Sequence, residues 1–537
     1  LLVTRALCCL AVTPSTSVHR RASLQNGQWS RGPRADPETI VPVHILFAEN
    51  GVAEASTELL ALSDPESPSF GKYWSPQSVT DAFSLAESDI AIILEWVKQS
   101  TGLPPSALLL PPCKCRLDFN TTVGQLETLL ETKYFVYTHG ASGKTSLVCD
   151  NYRLPDHLLP LIDFITPSVF PFREPHPVEP LTNLDSTEVQ LPSLSKRQQA
   201  LDCSQFTTPQ CLREWYRIPS RGANYTLHPN NTFGVFQPSW MSWIAQDMDN
   251  FFSFLEPHLV GQRPQMQSIA GGYYNPTFWD QIFSLEPNLD FQYTMSLVWP
   301  QTVTNIQVGD EYLSGNLNTM LAAYDEYYCN KLDPSIDPQY PNTIAEGEGY
   351  QHFDCGSHTP PKVISISYAW AEADFPEEYL RRQCNEYLKL GLQGVTVVAS
   401  TGDEGTAGRH SLCPDPSSKE KRPFHISFPA SCPWVTAVGG TFKKPSSSPD
   451  GKPDNNTRKG SKQALETVYN RLPAGHTTNT SSTGGFSTVF STPRYQSHAT
   501  NKYLKSERHH LANLSDLFNP KGRAVPDVSA LAGDYLV

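Results

Sequence analysis

Val363-Ile364-Ser365-Ile366-Ser367-Tyr368, the stretch Pro376 to Leu388, and Val395-Thr396-Val397-Val398-Ala399 decide the fold between them. The first and last are short, nearly continuous apolar runs rich in β-branched residues, and the middle carries helical spacing. Trp434-Val435-Thr436-Ala437-Val438 follows as another strand, and Phe233-Gly234-Val235-Phe236 precedes them all as the first. Strands that are apolar on both faces and separated by a helix belong to a buried parallel sheet with crossover connections. The chain from about 201 to 537 is therefore an α/β domain, and its chemistry is expected beyond the carboxyl ends of the strands.

Working outward, Ser400-Thr401-Gly402-Asp403-Glu404-Gly405 lies at such an end. The glycines permit a sharp turn that leaves the Asp403 carboxyl free to face a cleft. By itself a Gly-Asp loop after a strand is most often just a turn. Further upstream, Ser284-Leu285-Glu286-Pro287-Asn288-Leu289-Asp290-Phe291-Gln292 reads as a helix start, with Pro287 in the first turn, where its missing N–H costs nothing. Glu286 and Asp290 then share one face, one turn apart. In an arbitrary helix two such acids are solvated surface charge, but in a cleft they are a proton relay. Asp310 to Tyr324 is expected to be helical, and Asp333 to Thr359 is a polar, Pro-rich insert.

The first part of the chain is a separate small α+β domain over 37–171. Val41 to Phe47, Cys115 to Phe119 and Tyr134 to Tyr137 read as strands, and Ala53 to Leu62, Val79 to Phe83, Ser88 to Gln99 and Val123 to Leu130 as helices. Residues 172–200 are Pro/Glu/Ser-rich without apolar periodicity and read as a linker. Lys196-Arg197 near its end is a dibasic pair placed for processing.

The 537 residues carry a net charge of −13 with no basic stripe, which argues against a nucleic-acid partner. No apolar run is long enough for a transmembrane helix, so no membrane partner is expected. Residues 1–20 read as part of a signal segment around Ala6 to Val12. Six Asn-x-Ser/Thr sequons, at Asn120, Asn224, Asn230, Asn455, Asn479 and Asn513, also favour a secreted glycoprotein. Of twelve cysteines, Cys8 and Cys9 fall in the signal segment, three (Cys113, Cys115, Cys149) lie before residue 197 and seven after it. Each set is odd, so neither pairs completely within itself. Cys203 and Cys211 are close enough for a local bridge. His352-x-x-Cys355-x-x-His358 offers three metal-ligand types with no fourth nearby, and is read as a loop holding a disulfide cysteine.

Several stretches, in order, resemble the sedolisin (serine-carboxyl) peptidases. Ser63-Asp64-Pro65-Glu66-Ser67-Pro68-Ser69-Phe70-Gly71-Lys72-Tyr73-Trp74-Ser75 and Ile162 to Pro167 are similar to the propeptide of that family, and Thr208 to Arg213 to the opening of its mature domain. The Gly402-Asp403 loop, Phe428 to Thr441, Gly484-Gly485-Phe486-Ser487 and Gly522 to Ala530 continue the match. The resemblance implies a ferredoxin-like propeptide domain ahead of a subtilisin-like parallel sheet flanked by helices. It implies a monomeric zymogen that acts on proteins or peptides at acidic pH and is inhibited by its own propeptide, with a tilt towards tripeptide release from N-termini.

Carried over by motif, Glu286 would be the general base, Asp290 its orienter and Asp403 the donor to the oxyanion. The family's serine nucleophile, in a Gly-Thr-Ser-Ala-Ser type motif, and its calcium ligands are expected beyond the stretch resembling Gly522 to Val537. No residue here is assigned to either part, and the chain alone is expected to be inactive. The alternative is a truncated, inactive homologue that binds peptides beside Ser365 to Tyr368. A subtilisin-like hydrolase with a histidine base would need motifs that do not occur.

Overall fold

The computed structural model describes residues 15–21, 29–111, 115–139, 145–167, 169, 203, 206–220, 225–275, 281–329, 332, 336–342, 349–407, 424–443, 466–471 and 480–537. Lys196, Arg197, Asn224, Asn455 and Asn479 lie outside these residues. The chain divides into two compact units: Leu1–Ala55, Ser75–Pro175 and Asp325–Gln339 form the first, and Ser56–Trp74, His176–Tyr324 and Tyr340–Val537 the second.

In the first unit the strand Ile40–Phe47 lies between Arg116–Thr122 and Ile162–Thr166, antiparallel to both. Its alternate residues Val41, Val43, Ile45 and Phe47 are buried with Ile90, Ile93 and Val97 of the helix Glu87–Thr101. That helix stops where Gly102 takes a positive φ of 70°, a conformation glycine adopts without strain. Thr122 and Gln125 close a reciprocal capping box on the helix Val123–Leu129.

The two strands nearest the N-terminus are among those not expected. Trp29–Arg34 pairs with Tyr134–His139, and Thr16–Arg21 pairs with Asn151–Pro155. The end of the expected signal segment is thus part of the folded unit, which starts before residue 37, because backbone pairing needs no apolar periodicity that the sequence would reveal. The cysteine parity shows here as well: Cys115 is disulfide-bonded, while Cys149 is a buried thiol outside any disulfide, its pKa pushed up by burial to about 11.

The second unit is built on an eight-stranded sheet in the order Gln265–Ile269, Val303–Val308, Phe233–Pro238, Val363–Ile366, Thr396–Ser400, Thr436–Lys443, Glu466–Val468, with Val528–Leu531 also pairing with Thr436–Lys443. All pairs are parallel except that with Glu466–Val468. The expected crossover helix is Glu377–Leu392, and it buries Leu380, Cys384, Tyr387 and Leu388. Gly234 lies where strands crowd: a Cβ there would come within 2.6 Å of Pro361 and 2.7 Å of Ile306.

Two expectations are corrected. Asp310 to Asn316 is not helical, and the helix begins only at Leu317. The Asp310 carboxylate accepts the N–H groups of Tyr312 (3.0 Å), Leu313 (2.6 Å) and Tyr350 (2.7 Å), which ties the segment into a turn. The helix bearing Glu286 starts at Gln281, so Pro287 is internal and not in the first turn. Its missing N–H leaves the Phe283 carbonyl without its intrahelical partner, and the N–H of Ser242 takes that place at 2.9 Å.

Cys203–Cys211 forms the expected local bridge, and Cys384–Cys432 spans 48 residues between the crossover helix and the turn before Thr436–Lys443. Replacing Cys384 and Cys432 together with alanine is expected to destabilise the second unit by about 4 kcal/mol from loop-closure entropy. A lowered denaturation midpoint, read by the fluorescence of this unit's tryptophans, checks this.

Candidate active site

Because the strands are parallel, their carboxyl ends share one edge of the sheet, and the residues singled out above meet there. Phe233–Pro238 carries Gln237 as its last residue but one, Val363–Ile366 runs into Ser367 and Tyr368, and Thr396–Ser400 leads to Asp403. The helix Gln281–Val298 turns Glu286 and Asp290 towards the same edge. It is anchored on its other side by Phe291, fully buried with Val235 and Val303. Asn288 secures its N-terminal half by accepting the Ile244 N–H (2.8 Å) and donating to Asp247 (2.8 Å).

Both oxygens of Asp290 are engaged. Gln237 Nε2 donates to Oδ2 at 2.7 Å, and Ser367 Oγ donates to Oδ1 at 2.9 Å. Tyr368 OH donates to Gln237 Oε1 at 2.5 Å, which fixes the amide so that its NH2 faces Asp290. Glu286 faces Asp290, Ser367 and, across the edge, Asp403.

All three carboxyls are held above the ordinary range. For Glu286 the largest cause is burial, followed by the adjacent Asp290, with Ser367 opposing and Asp403 adding a smaller push. Burial also dominates for Asp290, against the hydrogen bonds from Ser367 and Gln237. Water reaches one face of Asp403, but protein crowds the others, and this burial together with Glu404 raises its pKa. Two carboxyls in contact cannot both ionise cheaply, so Glu286 and Asp290 retain one proton between them and titrate as a pair. The acid pair that could have been surface charge is therefore a coupled, half-buried dyad facing a third carboxyl.

The Asp403 turn needs its glycine. Gly402 has φ +103°, and a Cβ on it would lie 2.6 Å from Ser427 Oγ. Gln237 was not expected as a site residue, and Ser367 and Tyr368 only as part of a peptide-binding strand. The available signal was a single amide at the end of an otherwise apolar strand, which needs a partner when buried.

Cys355 is disulfide-bonded, so its sulfur is no metal ligand. Among the described residues no group of three His, Cys, Asp or Glu side chains is placed to hold a metal ion. No helix among them is long and apolar enough to cross a membrane. Of the sequons, Asn120, Asn230 and Asn513 are exposed.

Residues 27–170 match the family model described as the Pro-kumamolisin activation domain. Over 98% of its length the chain is 35% identical to tripeptidyl-peptidase SED1 of Arthroderma otae, covering 82% of that protein. The chain belongs to the sedolisin family. Tripeptidyl-peptidase sed1 of Aspergillus fumigatus is 31% identical over 97% of the chain and 81% of its own length, and Aorsin of Aspergillus oryzae is 30% identical over the same shares. A solved structure of Pseudomonas sedolisin, complexed with two molecules of pseudo-iodotyrostatin, is 22% identical, with a TM-score of 0.38 over 62% of this chain and 72% of that one. Sedolisin membership makes the chain a serine-type peptidase by family, with a zymogen's activation domain in front of an α/β sheet.

The raised pKa values of the dyad give a stability prediction for this sedolisin. Below about pH 4 the carboxyls are protonated whether the chain is folded or not. As pH rises from there, the unfolded chain releases protons that the fold retains, so the stability present at low pH is lost up to the raised pKa values. The double variant E286Q/D290N removes this titration. Its thermal midpoint is expected to fall less than the parent's between pH 4 and 7, as differential scanning fluorimetry would show.

Proposed function

We propose that this chain is the zymogen of a secreted peptidase that acts at acidic pH and releases tripeptides from the free N-termini of proteins. The observation that carries this reading is the coupled Glu286–Asp290 pair facing Asp403, all three held above the ordinary carboxyl range. The tripeptidyl-peptidase names of the relatives support the exopeptidase part.

In this reading the proton shared by the dyad moves onto Asp290, which leaves Glu286 as the carboxylate that takes the proton from the attacking serine hydroxyl as the new C–O bond forms. The serine belongs to the family's Gly-Thr-Ser type motif, a part to which no residue of this sequence is assigned. As the C–N bond breaks, Glu286 passes the proton to the leaving amine, and a water then hydrolyses the acyl-enzyme by the same route in reverse order. Asp290 orients Glu286 and shares its proton, while Gln237 and Ser367 keep the Asp290 carboxyl from rotating. Asp403 donates a hydrogen bond to the tetrahedral oxyanion, which a carboxyl can do only while protonated.

The pH dependence follows in sign. Raising pH strips the proton from Asp403 and the shared proton from the dyad, so activity falls towards neutrality. A histidine base would instead lose activity on acidification.

The expressed protein, matured at acidic pH, is expected to release tripeptides from a peptide with a free amino end and to leave the N-acetylated peptide intact; mass spectrometry of the products decides. Equal cleavage of both would defeat the exopeptidase reading, and an optimum above neutrality would defeat the acid mechanism. Asp403→Ala is expected to lower kcat by roughly 10²- to 10³-fold, the cost typical of a lost oxyanion donor. Asp403→Asn supplies an N–H donor that does not titrate, so it should keep more activity than alanine and shift the high-pH limb upwards.

A further inference from the structure

The loop bearing Asp403 is held by more than its own turn. Ser481 N–H donates to the Asp403 carbonyl at 2.6 Å, and Thr483 N–H to the Gly402 carbonyl at 2.9 Å. Glu404 also forms a parallel bridge with Ser481. A short run of chain eighty residues away thus zips along one side of the loop. The Ser427 hydroxyl also closes on Gly402, and the buried Thr483 Oγ1 of the same run lies 3.0 Å from where a Gly402 Cβ would be.

These contacts engage the carbonyls of Gly402 and Asp403. The Asp403 N–H is engaged separately: it donates to Glu404 Oε2 at 3.2 Å, so the Glu404 side chain folds back over the residue before it. A negative group is therefore built against the carboxyl that must donate to the oxyanion.

We propose that Glu404 is a positioning residue for Asp403, fixing the loop through the Asp403 N–H and keeping a negative charge beside its carboxyl so that the proton stays on. The proposal rests on the reading of Asp403 as the oxyanion donor.

Among the described residues, the charged or titratable groups that bear on this carboxyl are few. Glu286 faces it from the helix Gln281–Val298, and Glu404 lies on its own loop. Thr480 to Thr483 and Ser427 bring hydroxyls and backbone. His425 donates its backbone N–H to the Thr406 carbonyl at 3.2 Å, which puts it at the far end of the loop. Glu404 favours the protonated form of Asp403, and does so without being needed as a base.

The two parts of the role separate by substitution. Glu404→Gln keeps an oxygen for the Asp403 N–H but removes the charge, and is expected to shift the high-pH limb of the kcat profile downwards, by roughly half to one pH unit for an adjacent like charge. Glu404→Ala removes charge and acceptor, and is expected to lower kcat at every pH by roughly tenfold, with KM within about twofold, as befits a group acting in the transition state. The shift caused by Glu404→Gln should vanish in the Asp403→Asn background, where nothing at position 403 titrates.

Profiles of the matured full-length enzyme would be compared, with thermal midpoints at acidic pH to show that each variant is folded. Parental profiles for both Glu404 variants, or a limb shift that survives in the Asp403→Asn background, would overturn the proposal. A parental profile for Asp403→Ala would instead overturn the reading on which it rests.

Discussion

Two carboxyl groups one helical turn apart, taken largely out of water, can persist only if the structure supplies donors for one and leaves a proton for the other. Gln237 and Ser367 supply the donors to Asp290, and the shared proton does the rest. This constraint fixes what surrounds the site. The donors must come from strand ends, because only there do side chains leave a buried sheet towards solvent. The strands must also be parallel, so that Gln237, Ser367 and the Asp403 turn emerge on one edge.

The helix that carries the dyad is positioned as much by its backbone as by its side chains. Pro287 removes an internal hydrogen bond, and the freed carbonyl of Phe283 is taken by Ser242 from the turn after the strand Phe233–Pro238. The same strand supplies Gln237. Carrier helix and donor strand are thus linked twice, once through the backbone and once through Asp290, and a shift of one would strain both links.

Much of this was legible in the sequence, for reasons particular to each element. The strands Val363–Ile366 and Thr396–Ser400 are apolar on both faces, which is itself the mark of a sheet covered on both sides. Asp403 was legible because Gly402 and Gly405 announce a sharp turn after a strand. Glu286 and Asp290 were legible as a pair, but their burial was not: helical spacing says which residues share a face, and nothing about what covers it. Gln237 and Tyr368 escaped because their importance lies in a partner far away in sequence. Asp310 to Asn316 passed for helix because the apolar spacing into Leu317 continues smoothly, while the carboxylate that ties the turn has contacts reaching forty residues ahead. The strands Thr16–Arg21 and Trp29–Arg34 escaped because their pairing is made by backbone groups that every sequence has.

The hydrogen-bond partners of the dyad are an amide and a hydroxyl, the amide held in turn by a phenol, and among the described residues no cation bears on the titration of either acid. Dissolved salt weakens the attraction between charges over distances of about 8 to 10 Å at moderate ionic strength, but it has little hold on short contacts between a carboxyl and neutral dipoles. A centre assembled in this way keeps its internal geometry whether the surrounding medium is dilute or strongly saline, so the ionic composition of that medium becomes a matter for the protein's surface and not for the geometry of the dyad.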